Sequence, residues 1–442
     1  MRALAAVLLV ACGGGGTSGD AGTDAASDAP DGALVCGSSA WLAYGQDAHR
    51  TSASDGCVTG PLDVAWRYTP SAAPWNDGGT RAPLMVDHAV ARGDAVFLAW
   101  GAQNYIGTTP GGTTQSLDRI DPQTGKTIWS FVPVFGDAST SGWPAAGLGS
   151  VLYDSDGLYW IDETTGAQAH TFSVDYWGDV LTDATQAYVT NTMYVDGPPM
   201  FVGAYDTTGT QTWQKNVFGV TKHGDYDGVG ALAMDGGTLF FAARYGASVT
   251  LTSGLYAFDP ATGTQKWLMP TSPTSDIAAT GGMIFLSEGT SLVARHASDG
   301  SIAWTSTWTS PIDGATGAAP VVTPSLVIVQ EKAGIVAHAR ATGTVAWSAP
   351  LAPTSDQGVT TLHCDAVLAA ALGSNTLVAV DATKIHVFDL GDGHEVWSAA
   401  LPGLVGIRLT SPVIVGKRVY VIDRAPVQQF NTVTPGALIA LQ

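Results

Sequence analysis

The sequence predicts an all-β fold: an eight-bladed β-propeller of four-stranded antiparallel blades, closed by pairing N- and C-terminal strands in one blade. Three observations carry this. A short apolar run, an acidic or polar turn and a glycine recur seven times, and in six copies a tryptophan follows four residues later. The recurrence has a period of about 47 residues, which suits a propeller or solenoid. Within each period, runs of β-branched and aromatic residues are separated by Gly, Pro and Asp breakers, four strands to a unit.

Taken in order, the copies are Ile120-Asp121-Pro-Gln-Thr-Gly125 to Trp129, and the degenerate Ile161-Asp162-Glu-Thr-Thr-Gly166 to His170. Tyr205-Asp206-Thr-Thr-Gly209 to Trp213 and Phe258-Asp259-Pro-Ala-Thr-Gly263 to Trp267 come next. Then follow Ala297-Ser-Asp299-Gly300 to Trp304, Arg340-Ala-Thr-Gly343 to Trp347, and Phe388-Asp389-Leu-Gly-Asp-Gly393 to Trp397. In the turn, Asp bonds its own backbone two residues on, Pro presets φ, and Gly supplies a positive φ. The tryptophan offers a large apolar face to wedge between blades. Trp66, Trp129, Trp213, Trp267, Trp304, Trp347 and Trp397 are therefore read as structural. Residues 223–267 show the unit well: strands at Val229–Met234, Thr238–Ala243, Gly254–Asp259 and Gln265–Leu268. The chain starts on the Trp66 strand without the three that should precede it. It ends on Pro412–Val415, Arg418–Ile422 and Ala437–Leu441 without a fourth. The two ends complete one blade, which removes open sheet edges.

The N-terminus reads as a targeting segment. Residues 1–11 form a signal peptide, and Leu9-Val10-Ala11-Cys12 matches a bacterial lipobox with Cys12 as the lipidated residue. Residues 12–35 are Gly, Ser, Thr, Ala and Asp, a disordered tether with a mean reach of roughly 25–30 Å. Residues 36–442 form the propeller. In an oxidising compartment Cys36 and Cys57 are expected to pair. Cys364 lies in an apolar run and reads as a buried thiol. The net charge of −19 and the lack of any basic run argue against nucleic acid.

The Asp-x-x-Thr-Gly-x-x-x-Trp repeat, with the opening Trp41-Leu-Ala-Tyr-Gly-Gln-Asp-Ala-His-Arg-Thr51 before Trp66-Arg-Tyr, resembles the pyrroloquinoline-quinone-like (PQQ-like) repeat family over about residues 40–442. The resemblance implies a propeller. The family includes quinone-dependent alcohol and glucose dehydrogenases and non-enzymatic outer-membrane lipoproteins such as BamB. Length, compact blades and the lipobox place the chain nearer the second branch.

Chemistry is sparse in the sequence. The dehydrogenase reading implies an axial quinone, a calcium ion held by oxygen ligands and a catalytic Asp, and in the alcohol dehydrogenase type a vicinal Cys-Cys pair that this chain lacks. His223-Gly-Asp225-Tyr-Asp227-Gly228 resembles the start of a calcium loop but lacks its distal Glu. His363-Cys364-Asp365 would point to alternate faces of a strand. No serine elbow, phosphate loop or HExxH occurs. The expectation is no catalytic residue, no metal and no cofactor. Candidate binding residues fall in the connections from one blade to the next, which gather at one end of the channel: Trp143, Trp177, Asp179, His223, Asp225, Tyr226, Asp227, Asp276, Asp313 and Asp356, with Arg81 and Arg408 across from them. The expected function is a membrane-anchored, extracytoplasmic, non-catalytic protein-binding or assembly scaffold, at the outer membrane. Its partners would be other envelope proteins, with membrane contact through the lipid anchor only, no nucleic acid, and a monomeric chain. Two alternatives stand beside it: a quinone- or calcium-dependent oxidoreductase, and a surface carbohydrate or adhesion module.

Overall fold

The computed structural model describes residues 36–70, 80–106, 109–133, 144–154, 158–172, 179–190, 201–217, 230–243, 253–307, 318–331, 334–351, 367–381, 383–404, 408–424 and 436–442. They form eight antiparallel four-stranded blades, the seventh extended by a short fifth strand. The innermost strands, in blade order, are Thr80–Arg92, Ala145–Gly147, Val180–Thr182, Gly230–Asp235, Ala278–Thr280, Val321–Val322, Leu368–Ala371 and Arg408–Val415. First strands of neighbouring blades pack on one another, so they line the axis. The expected closure is present. Val64–Tyr68 pairs antiparallel with Ala437–Leu441 and supplies the outer strand of blade 8. Asp63 and Gln442 exchange backbone hydrogen bonds of 3.0 Å at this seam.

The repeat turns out to be a joint between blades. The tryptophan of one blade lies on the turn glycine of the next, and its indole N–H donates to a turn carbonyl. Trp66 bonds Pro122 at 2.9 Å, Trp213 bonds Pro260 at 2.7 Å, Trp304 bonds Arg340 at 2.8 Å and Trp347 bonds Leu390 at 2.9 Å. Glycine is required sterically: a Cβ on Gly343 would stand 2.4 Å from Trp304 Cε3, at a φ of +73°. His170 fills the tryptophan place in the degenerate blade, against Gly209. In blade 8 the corresponding turn is interrupted by the chain ends. Gly60, from just before the Trp66 strand, takes over: its Cβ position lies 2.8 Å from Trp397 Cγ.

The aspartates cap these turns as expected. Asp121 Oδ1 accepts from the backbone N–H of Gln123 and Thr124 and from the Thr124 hydroxyl. Those Thr124 bonds hold its carboxyl below the usual carboxylate range. Blades 5 and 6 lack this aspartate, having His296 and Ala339 in its place. There the turn is held from the preceding strand residue instead. Arg295 Nη1 donates to the Gly300 carbonyl at 2.7 Å, and His338 Nδ1 donates to the Gly343 carbonyl at 3.1 Å.

Candidate functional site

Residues 41–57 run across the axis and touch every blade. Trp41 exchanges backbone bonds with Ala91 of blade 1. The carbonyls of Leu42, Ala48, His49, Thr51 and Ser52 accept from Ala146, Met234, Ala279, Val322 and Ala370 of blades 2, 4, 5, 6 and 7. Arg50 Nη2 reaches the Val180 carbonyl of blade 3 at 2.9 Å, and the Cys57 N–H donates to Gly416 of blade 8 at 2.8 Å. Ala53–Ser54 adds in parallel to Leu368–Ala371. The backbone partners sit toward the far ends of the innermost strands, near the first hairpin turns. The segment therefore closes the turn end of the channel.

Its geometry is unusual. Gln46, Arg50 and Ser52 all have positive φ (85°, 59° and 50°), where non-glycine residues are strained. Such strain persists only when neighbours over-determine it. Here the expected Cys36–Cys57 disulfide ties the last residue of the segment to the chain just before its start, with Cα atoms 5.3 Å apart.

Two side chains of the segment project into the channel. Arg50, 1% exposed, donates to Asp179 Oδ1 at 2.6 Å, to the Leu232 carbonyl at 3.0 Å and to the Tyr44 carbonyl at 2.6 Å. Asp179 Oδ2 accepts the Leu232 N–H at 2.8 Å. Tyr44 lies beneath the guanidinium, 5.6 Å from Arg50 Cζ to the ring centroid, and its hydroxyl accepts the Ala319 N–H at 3.0 Å. This is a buried, charge-balanced knot joining blades 3, 4 and 6.

The sequence-chosen residues divide into three groups. Asp179 and Asp276 are described and buried, each 2% exposed, rather than standing on an open rim. Asp179 is taken up by Arg50. Asp276 follows Ser275, whose hydroxyl donates to the Asp276 carbonyl and accepts the Ser287 N–H. Arg81 and Arg408 fall at the start of the innermost strands of blades 1 and 8, which are neighbours rather than opposite blades. Trp143, Trp177, His223, Asp225, Tyr226, Asp227, Asp313 and Asp356 lie outside the described residues, as do Cys12, His363, Cys364 and Asp365. Tyr44 and Arg50 were missed. The usable signal was an arginine and two aromatics placed before the first blade, in a chain with few cations.

Among the described residues, one group has metal-ligand spacing: Asp389, Asp392 and His394 in the outer turn of blade 7. Turn chemistry accounts for it. Asp389 Oδ1 accepts the Gly391 N–H, and Asp392 Oδ1 takes both the His394 N–H and its Nδ1. No helix among the described residues is long and apolar enough to cross a membrane.

A family model described as outer membrane protein assembly factor BamB, one of the PQQ-like repeat models, matches residues 113–305 and 251–436. No curated protein matches the chain. Among solved structures, the quinohemoprotein alcohol dehydrogenase from Comamonas testosteroni is similar at a TM-score of 0.62 and 14% identity, covering 91% of this chain and 80% of that one. The quinohemoprotein alcohol dehydrogenase ADHIIG from Pseudomonas putida HK5 gives 0.63 and 14%, with the same coverage. A europium-containing methanol dehydrogenase gives 0.62 and 12%, covering 91% of this chain and 98% of that one. At such identities the likeness shows the fold alone. It still corrects the expectation of a non-catalytic scaffold and non-enzyme. These three dehydrogenases share the ring over 91% of this chain, so compact eight-bladed architecture does not mark a non-enzyme.

Proposed function

The chain belongs to the PQQ-like repeat family, and from that premise we propose that it is an extracytoplasmic oxidoreductase using a quinone-type cofactor, with calcium as the companion cation. The observation that carries this reading is the closing of the turn end of the ring by residues 41–57, with buried polar groups at that floor. The end to which the blade-to-blade connections lead is then the candidate ligand end. A floor with a few placed polar groups suits a small ligand.

The residue types present fit the group. A flat, anionic quinone needs aromatic faces, cations for its carboxylates, and hard oxygen ligands for calcium. Trp143 and Trp177 are the candidate faces, Arg81 and Arg408 the candidate cations, and Asp225, Asp227, Asp313 and Asp356 the candidate oxygen donors. Asp179 is not among the ligands, because Arg50 and the Leu232 N–H occupy both its oxygens. Once bound, the quinone supplies a two-electron acceptor. The protein's own part, among the described residues, is a closed floor in which Arg50 is paired with Asp179. The lipobox at Cys12 supports an extracytoplasmic, lipid-anchored location.

The test uses the full chain with Cys12→Ala, dialysed and then mixed with pyrroloquinoline quinone and calcium. Expected results are a saturable absorbance change and reduction of an artificial dye with some member of an alcohol and aldose panel. Both should weaken in Arg81→Ala plus Arg408→Ala. Absence of saturable quinone binding overturns the proposal.

A further inference from the structure

We infer that the closing segment is a redox-sensitive latch: it lies across the turn end while Cys36 and Cys57 are joined, and their reduction releases it as one unit. Its grip on the ring is spread thin. The carbonyls of Leu42, Ala48, His49, Thr51 and Ser52 accept one backbone bond apiece, each from a different blade. Ala53–Ser54 adds a ladder of just two residues. Between these contacts the chain turns tightly on itself, with Gly45, Gln46, Arg50 and Ser52 at positive φ. Such a strained course persists only while its surroundings hold it.

The two ends are fastened differently. The Cys57 end is rooted in the ring. The Cys57 N–H donates to the Gly416 carbonyl of blade 8, the Val58 N–H donates to the Ser374 hydroxyl at 2.8 Å, and the Val58 carbonyl accepts the Thr376 hydroxyl at 2.6 Å. The Cys36 end is fastened to that root. The Gly37 N–H donates to the Asp55 carbonyl and the Ser39 N–H to Asp55 Oδ1, both at 2.9 Å, and the disulfide joins Cys57. Cys57 is buried, and its Sγ packs on blade 7, 3.0 Å from where a Cβ on Gly373 would stand; Cys36 is half-buried. A dithiol therefore meets the bond from the Cys36 side. Its thiolate attacks Cys36 Sγ, the S–S bond breaks, and Cys57 leaves as a thiolate that takes up a proton. The second thiol of the reagent then displaces Cys36 from the mixed disulfide. Two electrons and two protons pass to the protein, and the reagent departs as its own disulfide.

The experiment is hydrogen–deuterium exchange on the full chain with Cys12→Ala, oxidised or reduced by dithiothreitol, with iodoacetamide labelling to count the thiols released. Five amides report the latch: Ala146, Met234, Ala279, Val322 and Ala370, which donate to the segment. Loss of a cross-link over a sequence separation of 21 should speed exchange at all five by a common factor, roughly 100-fold. The turn amides of Gly125, Gly263 and Gly393 donate to Asp121, Asp259 and Asp389 and should keep their rates. Reoxidation should restore the five. Cys36→Ser with Cys57→Ser should exchange like the reduced chain and ignore dithiothreitol; should that variant fail to fold, the dithiothreitol titration of the parent chain decides alone. A disulfide that survives dithiothreitol without denaturant overturns the inference. So does a reduced chain with unchanged rates, a rise at Ala146 alone, which is fraying from the Cys36 end, or a rise shared by the turn amides, which is general loosening. The latch needs no ligand, so a chain that ignores quinone sinks the proposed function and leaves this result standing.

Discussion

The two ends of this propeller are built on different principles. At the turn end, blades repeat one device: a capped turn, a glycine with positive φ and a tryptophan from the neighbouring blade. The closing segment bonds to the innermost strands of six blades and to the first hairpin turn of blade 8 there, and reaches blade 3 through Arg50. At the other end the connections differ in length and composition, and the aromatics and carboxylates in them follow no period. Repetition serves ring stability, and departure from repetition is where a ligand can be told apart from another. The Arg50–Asp179 pair is where the two principles meet, because it belongs to the closing segment yet grips the start of an innermost strand.

The largest expected effect comes from cutting that meeting point. Arg50→Met leaves the Asp179 charge buried without its cation, which should cost about 3–5 kcal/mol. Arg50→Met with Asp179→Leu should recover much of that loss, since removing both charges removes the desolvation problem. Urea unfolding of the two variants decides it. Losses that merely add in the double variant would mean the pair is not coupled, and the two ends would be independent.

Next in size is the joint itself. Gly343→Ala must both take a left-handed backbone and meet Trp304 at 2.4 Å. Gly236→Ala has the same backbone demand, at a φ of +54°, with open space around its Cβ. The second variant should cost about 1–2 kcal/mol, and the first clearly more. Equal losses would show that the tryptophan yields, and that the repeat is a turn signal rather than a joint.

Much of this was legible in the sequence. The Asp-Thr-Gly turn with its tryptophan has a fixed spacing, and spacing is what a closed ring of equal blades demands, so blade count and the split blade 8 follow. The pairing of Cys36 with Cys57 was also readable, from compartment and position. Gly60 was not: its role as the missing turn glycine depends on where the chain ends meet. Nor was the closing segment, because most of its contacts are backbone bonds to many strands and need no side-chain pattern. Asp179 read as an exposed rim carboxylate, since nothing local announces an arginine 129 residues away. Function misled for a related reason. Compactness and a lipobox-like motif speak to size and expected address, neither of which constrains chemistry at the axis.

The smallest effects are acid-dependent and distinguish the two kinds of turn. His338 is buried in blade 6, and that burial lowers its pKa below the ordinary histidine value, against the raising influence of the Gly343 bond. The folded chain thus favours the neutral ring, while the unfolded chain takes up a proton near pH 6.5. Its contribution is present above that pH and fades as pH falls toward the folded value. The capped turns behave later. Asp121, Asp206 and Asp259 have carboxyls lowered chiefly by Thr124, Thr208 and Thr262, so their contribution is present above about pH 4 and lost below it as they protonate. Urea midpoints measured from pH 8 to 3 should therefore show a shallow decline starting near 6.5 and a steeper one below about 4. His338→Leu should lower the pH 8 value by about 1 kcal/mol through loss of the Gly343 bond, yet flatten the upper decline. An unchanged slope in that variant would place the upper decline elsewhere. Blade 6 would then be held by packing on Trp304, and its turn would need no substitute for the missing aspartate.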